Sequence, residues 1–125
     1  MKVEVSNGEF FDKFSILEIK SNRMLDEDKL HHVNKEKDTL NSIVGNLSYI
    51  FESSVYSELH GINNQLWDIE DRIREKGRMD EYDEEFIDLS RKIYIMNDKR
   101  FNLKNEINNM TSSEYKEQKS HVSCD

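Results

Sequence analysis

The chain has 125 residues, the size of a single domain, and it contains no proline and no alanine. Its 26 acidic residues outnumber its 18 basic residues and give a net charge of −8. This balance argues against general nucleic-acid binding, because neutralising phosphates requires a surplus of lysine and arginine. Its apolar runs are only a few residues long, whereas a membrane-spanning helix needs ~20 residues, and one cysteine cannot form a disulfide framework.

The first helix is predicted to begin after Ser6, where residues 6–9 (SNGE) match a capping box. In that motif the serine side chain accepts a hydrogen bond from the amide three residues on, while the glutamate reaches back. An apolar stripe with helical spacing follows, over Phe10, Phe14, Leu17, Ser21 and Met24. Residues 1–6 are predicted to be a short extended lead-in.

The second helix is predicted to begin at Asp26, a residue type that caps helix N-termini. Its stripe runs over Leu30, Val33, Lys37, Leu40, Val44, Leu47 and Phe51. Gly45 lies within this stretch. The sequence leaves open whether Gly45 breaks the helix or lies on its outer side.

The third and fourth helices carry the longest apolar stripes. Ser53 and Ser54 offer a cap for the third helix, Gly77 is predicted to end it in a left-handed conformation, and Asp80 is predicted to start the fourth. The third stripe comprises Val55, Leu59, Ile62, Leu66, Ile69 and Ile73, and the fourth comprises Phe86, Leu89, Ile93, Met96, Arg100, Leu103, Ile107 and Met110. Residues 111–125 are predicted to be a tail, either a short helix or frayed.

These patterns predict an all-α protein in which residues 1–125 form one domain. We expect an antiparallel bundle of about four helices, because short connections favour antiparallel neighbours. The spacing of the third and fourth stripes favours a long coiled-coil-like hairpin. A fourth helix over residues 81–110 would be about 45 Å long, which exceeds the core of so small a monomer. The sequence therefore predicts a homodimer, or docking onto another protein.

Three sequence blocks resemble a known family. They are residues 5–20 (VSNGEFFDKFSILEIK), 66–71 (LWDIED) and 97–108 (NDKRFNLKNEIN), with 117–120 (EQKS) near the end of the chain. The first is the most specific, since the order G-E-x-x-D-K-x-S-I-L-E-I-K is improbable by chance. The chain resembles an uncharacterised family of small helical proteins from bacteria and their phages, classed as a domain of unknown function. That resemblance implies a helical fold and brings no catalytic residues with it.

Polar side chains flank the apolar stripes on three predicted helices, where they could converge into a cationic cleft. The candidate ligand-binding residues are Lys13, Lys20, Trp67, Glu70, Asn97, Arg100 and Lys104, and Asn63 flanks the third stripe in the same way. Such a cleft could bind a phosphate or carboxylate, with Arg100 gripping two oxygens at once. The more common role of such positions is interhelical salt bridging, with lysine stems lying over the core.

Arg100 differs from the other candidates because it lies inside the apolar stripe of the fourth helix. A charge in that position is costly unless it has a partner of opposite sign. We therefore expect a carboxylate, either Glu70 or Glu18, to contact Arg100.

The sequence offers no candidate for nucleophilic catalysis and predicts no cofactor. Acidic pairs such as Asp68 with Asp71 and Glu85 with Asp88 have the spacing with which all-α pyrophosphohydrolases bind magnesium. Among 26 acidic residues, however, such pairs arise by chance, and a solvated acidic face is the simpler interpretation. The histidines and the cysteine do not reach the four ligands of a zinc site, so no metal site is predicted.

The sequence predicts a cytoplasmic, non-catalytic interaction protein that acts through a helical face or as a homodimer, in the host cytoplasm if a phage encodes it. No nucleic acid and no membrane is expected as a partner. The alternative is a protein that binds a phosphate- or carboxylate-bearing metabolite, such as a sugar nucleotide, in the cationic cleft. In that alternative the protein could also be a small all-α enzyme.

Overall fold

A computed structural model describes residues 1–113 of the chain, and this range contains helices and no strand. The α-helices are α1 (Asn7–Arg23), α2 (Glu27–Ile43), α3 (Ser54–Arg78) and α4 (Glu84–Met110), and a 3-10 helix (Gly45–Glu52) connects α2 to α3. The all-α prediction is confirmed, and the described part of the chain has five helical elements rather than about four. Within residues 1–113, no helix has the length and apolar character needed to cross a membrane. Most of the predicted tail lies outside the described residues.

Three predicted N-caps are confirmed. Ser6, Asp26 and Ser53 cap α1, α2 and α3, and their side chains accept hydrogen bonds from first-turn amides at 3.1, 3.0 and 3.2 Å. Each cap satisfies a backbone donor that has no partner within its helix. The starts of these helices are therefore set by local sequence.

The end of α2 answers the question that the sequence left open at Gly45. The helix ends at Ile43, and Gly45 has a φ of +58°. This left-handed conformation is easily adopted by glycine and strained for most other residues. The α-helix therefore does not continue through Gly45, which is the first residue of the 3-10 helix.

Two predictions at the connection between α3 and α4 are wrong. Gly77 does not end α3, which continues to Arg78, and Asp80 does not start α4. Asp80 is instead the left-handed residue of the turn, with a φ of +55°, a conformation that aspartate tolerates better than most residues. The N-cap of α4 is Asp83, which accepts a hydrogen bond from the amide of Phe86 at 3.0 Å.

The side chain of Lys76 explains why the turn is placed there. Only 3% of this side chain is exposed, and its Nζ lies 3.3, 2.8 and 3.0 Å from carboxylate oxygens of Glu81, Asp83 and Glu85. Hydrogen bonds from Lys76 hold the pKa of Asp83 and of Glu85 below the usual values. Lys76 of α3 thus forms ion pairs with both the turn and the first residues of α4.

Helix α1 lies between its neighbours, with α2 packed on it from one side and with α3 and α4 on the other. It is therefore buried on more than the single predicted stripe: Phe14 and Leu17 of that stripe are buried, and so is Phe11, which is 0% exposed. In contrast, α2 has no buried residue. The core comprises Phe11, Phe14, Ile50, Val55, Tyr56, Leu59, Leu103 and Ile107.

Burial of the α3 and α4 stripes decreases toward their connection. Val55, Leu59 and Leu66 are buried, whereas Ile69 and Ile73 are partly exposed. Along α4, Leu103 and Ile107 are buried, and the stripe residues nearer the turn, Phe86, Leu89, Ile93 and Met96, are partly exposed. The end of α1 lies beside Asp68, because Arg23 Nη1 is 2.6 Å from Asp68 Oδ1. We call residues 72–96, which lie beyond this point, the distal arm.

Candidate functional site

Four side chains from three helices form a polar network around Asp12, which is 1% exposed. Arg100 of α4 donates a hydrogen bond to each carboxylate oxygen, with Nε 2.9 Å from Oδ1 and Nη2 2.6 Å from Oδ2. Asn63 of α3 donates from Nδ2 to Asp12 Oδ1 at 2.9 Å and to Ser15 Oγ at 2.7 Å. Asp12 therefore links α1 to both helices of the hairpin.

The expected partner of Arg100 is corrected by this network. Neither Glu70 nor Glu18 pairs with it, and within residues 1–113 its carboxylate partner is Asp12. Glu18 instead accepts a hydrogen bond from the hydroxyl of Tyr56. The expectation that a charge in the stripe has a carboxylate partner is confirmed. The partner differs from the expected residues because α1 buries a second face, which contains Asp12.

The N-terminal turn of α1 lies very close to α4 at Gly8. The Gly8 amide donates to Asn108 Oδ1 at 2.6 Å, and a Cβ atom on Gly8 would lie 2.2 Å from the backbone oxygen of Lys104. At the next residue, the Oε2 atom of Glu9 lies 2.7 Å from the Nζ atom of Lys104. Lys104, a candidate ligand-binding residue, is thus part of an interhelical ion pair.

Two clefts lie on either side of α1 and bring most of the candidate residues together. The α1–α3 cleft, about 390 Å³, is lined by four of the seven candidates, namely Lys20, Trp67, Glu70 and Arg100. The α1–α2 cleft, about 420 Å³, is lined by Lys13, Lys20 and Arg100. Asn97 is exposed and lines neither of these two clefts.

The α1–α3 cleft is not uniformly cationic. Besides Lys20 and Arg100, it contains Arg74, and it also contains the carboxylates of Glu70 and Asp71. In the neighbouring α1–α2 cleft, the Nζ atom of Lys13 is 3.2 Å from a Glu36 carboxylate oxygen. The arrangement therefore presents both signs of charge to a ligand.

Trp67 is held in place by Arg23, a residue that the sequence did not single out. The Arg23 guanidinium lies 5.8 Å from the centre of the Trp67 ring, a cation–π distance. It also donates to Asp68 at 2.6 Å and to Asn64 at 2.7 Å. The hydrogen bond from Arg23 holds the pKa of Asp68 below its usual value.

Residues 1–124 match a family of unknown function, DUF6165. The chain belongs to DUF6165. This finding confirms the resemblance to a family of unknown function that the sequence blocks indicated. No curated protein and no solved structure matches the chain.

In this DUF6165 chain, the most specific of the sequence blocks, residues 5–20, supplies nearly all the polar contacts of α1. Gly8 and Glu9 contact α4, Asp12 contacts α3 and α4, and Ser15 contacts α3. Lys20 lines both clefts. Interhelical contacts thus explain four polar positions of the block, and Lys20 lines the clefts.

In each of the two acidic pairs that suggested a magnesium site, one carboxylate lies in an ion pair with a basic residue. Asp68 is bound by Arg23, and Glu85 is bound by Arg72 at 2.8 Å and by Lys76 at 3.0 Å. Over residues 1–113, no group of three or more potential metal ligands comes together.

The hydrogen bond between Tyr56 and Glu18 predicts a loss of stability at alkaline pH. Burial, followed by this hydrogen bond, raises the pKa of Tyr56 well above its usual range. Because the folded state holds the phenol proton more tightly, this contribution is complete below the unfolded-state pKa of about 10 and falls as the pH rises above it. Urea unfolding at a series of pH values should show a steeper alkaline decline for the wild type than for Tyr56→Phe. Equal slopes would contradict the assignment.

Proposed function

We propose that this DUF6165 protein is an interaction protein that forms a homodimer through its distal arm, residues 72–96. The observation that carries the proposal is the partial exposure of the apolar stripes there, at Ile73, Phe86, Leu89, Ile93 and Met96. Among residues 1–113, α1 ends before this region and α2 packs mainly on α1. A second arm would bury these side chains and complete a four-helix arrangement.

Exposed apolar side chains on α4 support the same assignment. Ile87 and Tyr94 lie two turns apart on one face of the helix and are 62% and 63% exposed. Near the turn, Met79 and Tyr82 are 60% and 63% exposed. A cluster of large apolar side chains on one part of a small protein is typical of an interaction surface.

Charge on the arm favours a second copy of this chain as the partner. Arg74 and Arg78 lie one turn apart on α3, and Glu84 and Asp88 lie one turn apart on α4. No ion pair within 4.0 Å forms between any of these four and the rest of residues 1–113. With a two-fold axis along the arm, α3 of each copy lies beside α4 of its partner, so the basic pair faces the acidic pair.

The size of the arm sets the expected affinity. The arm portion of α4 is about 20 Å long at 1.5 Å per residue. Two helices of this length offer less than the ~800 Å² per partner of a standard protein interface. We therefore expect a dissociation constant in the micromolar range.

Light scattering after size exclusion tests the proposal. From about 2 to 200 µM, the mass should rise from that of the 14.9 kDa chain toward twice that value. Ile87→Asp combined with Tyr94→Asp should stay monomeric over the whole range. Leu25→Asp is the matched control, since Leu25 is 94% exposed and lies outside the arm; it should dimerise like the wild type. A wild type that remains monomeric at the highest concentration overturns the homodimer.

Charge reversal tests the arrangement of the two arms. Arg74→Glu with Arg78→Glu should weaken self-association, and so should Glu84→Arg with Asp88→Arg, because each places like charges opposite each other. An equimolar mixture of the two double variants should recover a dimer. Failure of the mixture to recover, with both variants folded by circular dichroism, rules out the proposed pairing of α3 with α4.

A further inference from the structure

The geometry points to the α1–α3 cleft as a binding site for a small zwitterion that carries a carboxylate, an ammonium group and an apolar part, as a free amino acid does. The inference does not depend on the homodimer, because Arg74 is the one lining residue of the cleft that belongs to the distal arm. Its residues come from α1, α3 and α4, and the cleft of about 390 Å³ exceeds the volume of such a molecule.

The charges of the cleft favour a zwitterion over a simple anion. Its basic residues are Lys20, Arg74 and Arg100, and its acidic residues are Glu70 and Asp71. Arg100 is also neutralised by the two hydrogen bonds to Asp12 beneath it. The cleft with its supporting carboxylate is therefore balanced in charge, so a molecule with both signs gains attraction at each end, whereas an anion meets repulsion from the carboxylates.

Lys20 and the two carboxylates of the cleft lie on facing walls, and Arg74 lies on the same helix as the carboxylates. Lys20 projects from α1, which supplies one wall, and Glu70 and Asp71 lie on α3, which supplies the other. Within residues 1–113, Lys20 forms no ion pair within 4.0 Å. The space that separates Lys20 from these carboxylates is where we place the ligand, with its carboxylate toward Lys20 and its ammonium toward Glu70.

Asn63 supplies an independent observation, because it lines the cleft although it is only 5% exposed. Its Nδ2 donates to Asp12 and to Ser15, and since the Asp12 carboxylate is an acceptor, the amide orientation is fixed. Its Oδ1 accepts no hydrogen bond from residues 1–113. A buried carbonyl without a donor is unusual, and the ammonium group of the ligand would supply one.

The apolar lining completes the site. Ile16, Ile19 and Leu66 lie in the cleft together with the indole of Trp67. Arg23 holds that ring, so the indole is oriented before a ligand arrives. An apolar side chain on the zwitterion would pack against this wall.

The single tryptophan of the chain provides the measurement. Fluorescence of Trp67, excited where phenylalanine does not absorb, should change saturably on titration with L-phenylalanine or L-leucine up to about 20 mM, a range that covers millimolar affinities. Phenethylamine lacks the carboxylate and 3-phenylpropionate lacks the ammonium group, and each should bind at least tenfold more weakly than L-phenylalanine. Inorganic phosphate tests the simple-anion alternative.

Lys20→Met and Glu70→Gln should each weaken L-phenylalanine binding by about tenfold, the effect of losing one charge-assisted contact. Lys13→Met is the matched control, because Lys13 lies on the same helix and lines the other cleft; it should bind like the wild type. The inference is overturned if no amino acid changes the fluorescence, if both truncated analogues bind as well as L-phenylalanine, or if phosphate binds more tightly. If Lys20→Met weakens the binding of L-phenylalanine and Glu70→Gln does not, the cleft binds anions, and the inference is also overturned.

Discussion

Replacing Gly8 by alanine should lower the thermal midpoint by roughly 5–12 °C, from an overpacking cost of about 1–3 kcal/mol. The added Cβ atom would lie 2.2 Å from the backbone oxygen of Lys104 and 2.8 Å from its carbonyl carbon. Both are backbone atoms inside α4, so neither can move without shifting a helix. The contact also carries the hydrogen bond from the Gly8 amide to Asn108. Thermal unfolding followed by circular dichroism measures the effect.

The other helical glycines provide controls, because we expect alanine to raise the stability of the protein at those positions. A Cβ atom on Gly61 or on Gly77 would meet nothing within 4 Å, and both residues lie in α3. Alanine at these positions should stabilise the protein by up to about 1 kcal/mol, because alanine is the better helix former. Gly8→Ala also replaces glycine by the better helix former, so a loss of stability there measures the close approach of the helices. A midpoint for Gly8→Ala at or above that of the wild type would contradict the packing.

The starts of α1, α2 and α3 were predictable because the information lies within a few residues, whereas the start of α4 at Asp83 was missed. The side chains of Ser6, Asp26 and Ser53 bond to amides of the same first turn, and no distant contact is needed. The turn after α3 was not predictable in this way. Its position depends on Lys76, whose buried ammonium group gathers carboxylates from Glu81 to Glu85. Local propensity favoured Gly77 as the helix end, and this ion cluster overrides it.

The burial of α1 also exceeded what its sequence indicated. Periodicity reveals one apolar stripe, but α1 packs against neighbours on two sides, so Phe11, Asp12 and Ser15 are buried as well. Asp12 and Ser15 gave no apolar signal, and only their place in the sequence block at residues 5–20 set them apart. A polar residue inside a helix interface is recognisable once its partners, Asn63 and Arg100, are known.

The candidate site was partly predictable because residues that flank an apolar stripe lie at the edge of a helix interface. Lys20, Trp67 and Glu70 meet at one cleft for this reason. Lys104 and Lys13 also flank apolar stripes, but they form ion pairs with Glu9 and Glu36. Sequence cannot separate these two outcomes, because the difference depends on which carboxylate lies opposite each lysine in the folded chain.

Arg100→Met should destabilise the protein by about 3–5 kcal/mol, the cost of leaving a buried charge without its partner. Asp12 is 1% exposed, so water cannot replace the two hydrogen bonds that the guanidinium supplies. Asp12→Asn should cost less, because the amide oxygen still accepts from Asn63 and the Arg100 side chain is 29% exposed to water. Urea unfolding of the two variants measures the difference.

The double variant decides between a lost charge partner and lost packing. If the cost of Arg100→Met comes from the stranded carboxylate, Asp12→Asn in the same chain should recover more than half of it, because the buried group is then neutral. If the cost comes from the guanidinium's packing between the two clefts, the two losses should add. Arg91→Met, an exposed arginine on the same helix, should be near neutral, and it corrects for the change in helix propensity. Additive losses would mean that Asp12 stabilises the packing of α1 on α3 through Asn63. They would also mean that Arg100 stabilises the protein through its packing between the two clefts.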